Sequence, residues 1–359
     1  MEIGIIGLPY SGKSTIFSTL LCHKGDSPTG KVSAERGIVK VPDPRLDKLT
    51  EIIQPKKQVN ATIEFIKVPG LDKDSNAVQG LPGSFLTSLK NVEALLVVIR
   101  HFENDFYPHP FGRVDAAADI TWINNELLIS DLIFVETRIE KLQKSIPKTQ
   151  NEKEKRELEL MLRFKKQLDQ ELPIRQMDLN EDDLSLIRGY QFLTIKPILF
   201  VINIQENQIP LSNAIENKLQ PLVGRNCSIT TLSAEIEKEI AELSPADAAA
   251  FMADLDIKEP AVHKLIRKSY ELLNLISFFT VGEKECRAWT IRKNSTARQA
   301  AGAIHSDLEK GFIRAETVAY EDLLLHKSLN ACKEKGLLRL EGKDYIVKDG
   351  DVLTIRFNV

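Results

Sequence analysis

The nine residues Gly7-Leu8-Pro9-Tyr10-Ser11-Gly12-Lys13-Ser14-Thr15 leave few folds open to this chain. They read G-x-x-x-x-G-K-S, the spacing of a phosphate-binding loop. Gly7 and Gly12 allow a tight turn whose N–H groups aim inward at phosphate oxygens. Lys13 brings a point charge to the β- and γ-phosphates and is the expected catalytic cation. The Ser14 hydroxyl is the expected ligand of Mg²⁺. The backbone through Tyr10, Ser11, Gly12, Lys13, Ser14 and Thr15 is the expected nucleotide cradle, with the positive end of a following helix behind it. The flanks suit this reading. Met1-Glu2-Ile3-Gly4-Ile5-Ile6 is a short apolar strand, and Ile16, Leu20 and Leu21 fall at helical spacing. A chance glycine-rich turn explains neither flank.

The rest of the chain alternates in the same way. Gly37–Val41 and Thr62–Val68 are β-rich runs closed by Pro42-Asp43-Pro44 and Pro69-Gly70, where proline ends pairing. Ala94–Ile99 is continuously apolar, as a strand covered on both faces should be. The expected fold class is α/β, a P-loop NTPase with a doubly wound parallel sheet. The pattern then shifts. Leu128, Leu132, Val135, Ile139, Leu142 and Ile146 step by four and three, and a second charged helix follows Pro147-Lys148-Thr149, which interrupts the seam. This predicts an inserted antiparallel helical hairpin over 128–190. Sheet character returns at Pro197–Asn203 and Ser228–Leu232, so the nucleotide-binding domain is expected over 1–127 and 191–275. From Ile276 onward short strands and turns predict a C-terminal α+β module over 276–359.

A phosphate loop names neither base nor reaction. Asn203, at the end of an apolar strand, is placed to bridge the loop and a purine. Ile204 and Glu206 complete an N-x-x-E run that frames the base, the carboxylate standing where N-K-x-D has its aspartate. Ser233-Ala234-Glu235, after the next strand, is expected to close over the base with backbone N–H groups. A strand-end asparagine is often only a turn residue; the order of these stretches after successive strands favours the functional reading. The formal net charge of −3 excludes a global basic field for nucleic acid. Arg287, Trp289, Arg292 and Lys293 form a local basic-aromatic candidate, against which stands a core role for Trp289. Four cysteines without a C-x-x-C pair argue against a zinc site and suit a reducing, cytoplasmic setting. No apolar run is long enough to span a bilayer, so no membrane partner is expected.

Taken with Val41-Pro42-Asp43-Pro44-Arg45-Leu46, Arg100 with Phe102-Glu103-Asn104-Asp105, Arg287-Ala288-Trp289-Thr290, Glu309–Ala315 and Glu341–Asp351, these motifs make the chain resemble the YchF/Obg-like ATPases along nearly its whole length. That family belongs to the translation-factor-related P-loop NTPases. The resemblance implies a nucleotide domain, a coiled-coil insertion and a C-terminal TGS domain. It further implies slow hydrolysis of ATP, often in preference to GTP, with Mg²⁺ as cofactor. The ribosome, through its large subunit or ribosomal RNA, is the implied partner, and a monomer is expected. By the same resemblance His109 matches a loop histidine that positions water. Two departures stand out. The family's D-I-A-G-L is Lys67-Val68-Pro69-Gly70-Leu71 here, so an ammonium replaces the carboxylate that supports Mg²⁺. The family's metal-reaching threonine is missing from the first loop, where Thr29 is the nearest substitute. A non-catalytic nucleotide sensor, or a ribosome-interaction scaffold with degenerate metal motifs, is therefore the alternative expectation.

Overall fold

Hydrophobic strands with short polar connections set the order of the elements in this computed structural model, which describes residues 1–22, 35–68 and 83–358. In chain order the first elements are β1 (Glu2–Gly7), α1 (Lys13–Cys22), β2 (Glu35–Lys40), α2 (Pro44–Ile53), β3 (Gln58–Val59), β4 (Thr62–Lys67), α3 (Gly83–Lys90) and β5 (Ala94–Arg100). Then come α4 (Ala116–Thr149), α5 (Glu152–Leu168), α6 (Glu181–Ile187), β6 (Ile198–Asn203), α7 (Ser212–Leu219), β7 (Cys227–Leu232), α8 (Ala234–Glu242), α9 (Pro245–Asp254) and α10 (Ala261–Leu272). The last are β8 (Leu275–Thr280), β9 (Cys286–Arg292), α11 (Ala297–Ile304), α12 (Ser306–Lys310), β10 (Phe312–Val318), α13 (Tyr320–His326), α14 (Leu329–Glu334), β11 (Arg339–Glu341) and β12 (Val352–Phe357).

The chain divides into two compact units, residues 1–37 with 64–262 and residues 38–63 with 263–359. The first holds a sheet in the order β2-β4-β1-β5-β6-β7, parallel from β4 through β7. Its central strands are buried along their length, which is why β5 and β6 read as unbroken apolar runs. Parallel pairing brings the carboxyl ends of β1, β5, β6 and β7 to one edge, where doubly wound folds bind ligands.

Helix α4 serves two cores. Ile120, Ile123 and Leu127 pack with the sheet, while Val135, Ile139 and Leu142 pack against Leu160, Met161 and Phe164 of α5. The hairpin helix therefore starts at Ala116, well before the expected 128. Pro147 lies inside the last turn of α4 and does not break it. Its missing N–H costs one intrahelical bond, and Gln150 then ends the helix in the left-handed region. Buried Asp131 ties the hairpin to the returning chain, accepting from Leu193 N at 3.0 Å and from Thr194 N and Oγ1 at 2.7 Å each.

The second unit carries a mixed sheet in the order β11-β10-β12-β8-β9-β3. Ala297 and Ala300 of α11 pack over Phe278, Ile291, Ala315 and Leu353. Two sequence expectations change here. Residues 38–63 were assigned to the nucleotide-binding domain, yet β3 pairs with β9, and Arg45 bonds Asp349 at 2.8 Å. The first unit ends at Val262, ahead of the 275/276 boundary expected for the nucleotide-binding domain. Trp289 is half-buried. Its indole donates to Thr280 Oγ1 at 2.9 Å and the Arg287 guanidinium lies 3.9 Å over its ring, so it is both a packing residue and the base of a cation–π pair.

Candidate functional site

The backbone of the loop explains its sequence. Gly7 has φ +154° and a Cβ there would lie 2.3 Å from Val98 O; Gly12 has φ +96° and a Cβ would lie 2.2 Å from Asn203 Nδ2. Neither position accepts a side chain. Tyr10, with φ 60°, occupies the left-handed region without being glycine, a strained placement typical of ligand-facing turns.

Lys13 opens α1 and folds back over the loop, its Nζ donating to Gly7 O and Leu8 O at 2.7 Å each. Burial, and then the nearby Lys67 ammonium, lower its pKa to about 8. The Ser11 hydroxyl is fully buried with no hydrogen-bond partner among the described residues. A lysine folded over a glycine-bounded loop fits an incoming phosphate. Asn203 staples the loop from across the sheet: its Nδ2 donates to Ser11 O at 3.0 Å, and its Oδ1 accepts from Ala234 N at 3.0 Å.

These groups border a cavity of about 510 Å³ at the carboxyl edge of the sheet. Tyr10, Ser11, Gly12, Lys13, Ser14 and Thr15 line one side, and Asn203, Ile204, Ala234 and Glu235 line another. The volume suits a nucleotide-sized ligand. Two expected residues stand elsewhere. Glu206 begins a 3-10 turn over Glu206–Leu211 and borders an adjoining hollow with Asn207, Ile209 and Asp254, which shares Gln205 and Glu235 with this cavity. Ser233 is buried under the cavity wall, its carbonyl accepting from Glu237 N.

His109 also departs from expectation. It is neither exposed nor at the cavity. Nδ1 accepts from Phe111 N at 3.3 Å, which leaves the Nε2 proton to be donated to Asp119 Oδ2 at 2.9 Å. Both side chains are buried, and desolvation raises the Asp119 pKa while His109 opposes that rise. The pair is buried and structural, with Asp119 Oδ1 left without a hydrogen-bond partner among the described residues.

Sequence reasoning had not assigned Arg100 or the loop after it to the site. Arg100 ends β5 fully buried and donates from Nε to Phe102 O at 2.8 Å and from Nη1 to Tyr107 O at 2.6 Å. Burial lowers its pKa, and Nη2 has no partner among the described residues. It thereby shapes a cavity wall containing Phe102, Glu103, Asn104 and Tyr107, with the Tyr107 ring 5.1 Å from that of Tyr10. An arginine closing an otherwise apolar strand was the available signal.

The Mg²⁺ expectation meets a mixed donor set. Ser14 presents an exposed hydroxyl at the start of α1. Lys67 ends β4, paired in register with Ile5 of β1, and bonds Glu35 at 2.9 Å. Thr29, the Pro69-Gly70 turn and the rest of the first loop lie outside the described residues. The described residues contain no cluster of three or more His, Cys, Asp or Glu able to hold a metal ion. Among the described residues the donor set is one serine hydroxyl, with an ammonium at the end of β4, and this does not fit a carboxylate-supported Mg²⁺ site.

A parallel sheet, a glycine-bounded loop with its lysine, and an asparagine staple at the sheet's carboxyl edge together define a P-loop NTPase. Comparison narrows the class. The chain is 41% identical to the "Ribosome-binding ATPase YchF" of Bacillus subtilis (strain 168), covering 100% of both chains. It is 41% identical to the protein of the same name from Escherichia coli O157:H7, over 100% of this chain and 99% of the other. The solved "Structure of the Schizosaccharomyces pombe YchF GTPase" superposes with a TM-score of 0.88 at 32% identity, over 99% of this chain and 97% of that one. A family model described as YchF-GTPase_C, a protein of unknown function (DUF933), matches residues 275–358. The chain belongs to the YchF family.

Proposed function

We propose that this chain binds a nucleoside triphosphate at the Gly7–Thr15 loop, hydrolyses it slowly, and binds the ribosome in a nucleotide-dependent way. The observation that carries the proposal is the intact cradle: the Gly7–Thr15 loop, with Lys13 folded back onto it, borders a nucleotide-sized cavity. On binding, the Lys13 ammonium exchanges two loop carbonyls for β- and γ-phosphate oxygens. Loop N–H groups hold the remaining oxygens. Water attacks the γ-phosphorus, the bond to the bridging oxygen breaks, and nucleoside diphosphate and inorganic phosphate leave. Lys13 stabilises the charge that accumulates on that oxygen. Asn203 keeps the loop in register throughout.

ATP is the preferred reading over GTP. Glu206 stands outside the cavity, and Ile204 holds the place where guanine-reading loops carry lysine. The relatives' printed name supports hydrolysis over the sensor and scaffold readings, and it supports the ribosome as partner. We assign the ribosomal contact to the large subunit or its RNA, through the 128–190 hairpin and the TGS-like C-terminal module. The protein is read as a cytoplasmic monomer. No helix among the described residues is long and apolar enough to cross a membrane.

The test is ribosome co-sedimentation with ADP, with ATP and with a non-hydrolysable ATP analogue, for wild type and Lys13→Ala. The reading predicts pelleting that changes with nucleotide in wild type and not in the variant. Equal pelleting under every condition in both proteins would overturn it.

A further inference from the structure

Lys67, a charged residue at the end of β4 beside the site, is not used by the P-loop mechanism. Register places it opposite Ile5 on β1, just ahead of the loop that begins at Gly7. Its Nζ lies 2.9 Å from Glu35 Oε2 and 5.8 Å from the centroid of the buried Phe17 ring. Phe17 stands one turn beyond Lys13 on α1. The ammonium is thereby held between the end of β4 and α1, one turn after the residues that present Ser14. Its partner is weakly committed: Glu35 keeps 49% of its side chain exposed, against 21% for Lys67. A half-exposed pair is screened and readily exchanged.

An ammonium at the end of β4, on the strand beside the one that feeds the loop, adds to the positive charge of Lys13, and an anion relieves that charge. A triphosphate relieves it more than a diphosphate, because its terminal group adds charge nearest Ser14 and Lys67. Replacing a strand-end aspartate with lysine changes the local charge by two units, which equals the charge of Mg²⁺. We propose that Lys67 is a second phosphate contact: its ammonium leaves Glu35 when a nucleoside triphosphate enters, pairs with the terminal phosphate oxygens, and takes over charge neutralisation that a carboxylate-supported Mg²⁺ provides in other P-loop NTPases. Triphosphate binding therefore persists here without Mg²⁺. The inference rests on the nucleotide binding proposed above and adds how this chain discriminates triphosphate from diphosphate.

The experiment is calorimetric titration of ATP and ADP into the full chain, in EDTA and in MgCl₂. Wild type is compared with Lys67→Gln, Lys67→Asp and Glu35→Gln, with folding of each checked by thermal melting. Wild type should bind ATP in EDTA within about threefold of its affinity in MgCl₂. Lys67→Gln should weaken ATP in EDTA by about tenfold or more, the value of a charge-assisted contact, and ADP by less than about threefold. Lys67→Asp should bind ATP well only with Mg²⁺. Glu35→Gln, which frees the ammonium, should tighten ATP in EDTA. Equal Mg²⁺ dependence in wild type and Lys67→Asp, or unchanged ATP binding in Lys67→Gln, would overturn the proposal. Absence of nucleotide binding by wild type in both buffers would overturn the nucleotide reading itself, and this proposal with it.

Discussion

Asn203→Ala should loosen the site more than any other single truncation outside the loop. The side chain is 4% exposed and makes two buried bonds, to Ser11 O and from Ala234 N, both at 3.0 Å. Truncation removes both and leaves a buried carbonyl and a buried N–H without a partner. At about 1–2 kcal/mol for each stranded group, the loss is about 3 kcal/mol. A domain of this size loses about 2–4 °C per kcal/mol, so its melting transition should fall by about 6–12 °C. ATP affinity should fall as well, because the loop is no longer held against α8. Asn203→Asp retains the acceptor for Ala234 N but turns an oxygen toward Ser11 O, so its loss should match or exceed that of the alanine. Exposed Asn207→Ala is the control, with an expected shift below about 2 °C. Calorimetric melting of the three variants decides the matter. An Asn203→Ala transition no lower than that of the control would refute the staple.

Two further predictions test corrected assignments and buried charge. His109→Ala strands the Asp119 carboxylate and should cost about 3 kcal/mol of stability while changing turnover per folded molecule by less than about threefold. A tenfold loss of kcat with an unaltered melt would restore a chemical role to His109. Lys196 is buried, donates from Nζ to Lys90 O and Val92 O, and has its pKa lowered from 10.5 to about 8 by burial. Because the unfolded lysine holds its proton up to 10.5 and the folded one releases it above about 8, the unfolded state binds more protons in that window. Stability of wild type relative to Lys196→Met should therefore rise between pH 8 and 10.5, by up to about 3 kcal/mol, and stay flat below pH 8. Urea unfolding of both proteins across that range reads the difference, and parallel pH profiles would contradict it.

The loop, the strand before it and the helix after it were legible because every fixed position in G-x-x-x-x-G-K-S answers a local steric or charge demand. The apolar runs of β5 and β6 were legible for a similar reason, since a strand covered on both faces has no polar side to hide. Long-range pairing was not. Gln58-Val59 is too short to announce a strand, yet its pairing with β9 groups residues 38–63 with the C-terminal unit. Glu206 sits at the right spacing for a base-reading carboxylate, but spacing is silent about the 3-10 turn that sets it at the adjoining hollow. Pro147 looked like a helix break because sequence cannot show that the helix ends only two residues later. Arg100 was hidden at the end of an apolar strand, its role set by carbonyls of a loop whose path only the fold determines.

The central claim is that the Gly7–Thr15 cradle performs hydrolysis through Lys13. Release of inorganic phosphate from ATP, followed over time for wild type and Lys13→Ala at matched concentrations of folded protein, tests it most directly. The account predicts slow, continuous release by wild type and loss of at least about a hundredfold in the variant, as expected when a charge-stabilising donor leaves a phosphoryl-transfer site. Equal release by the two proteins would contradict it.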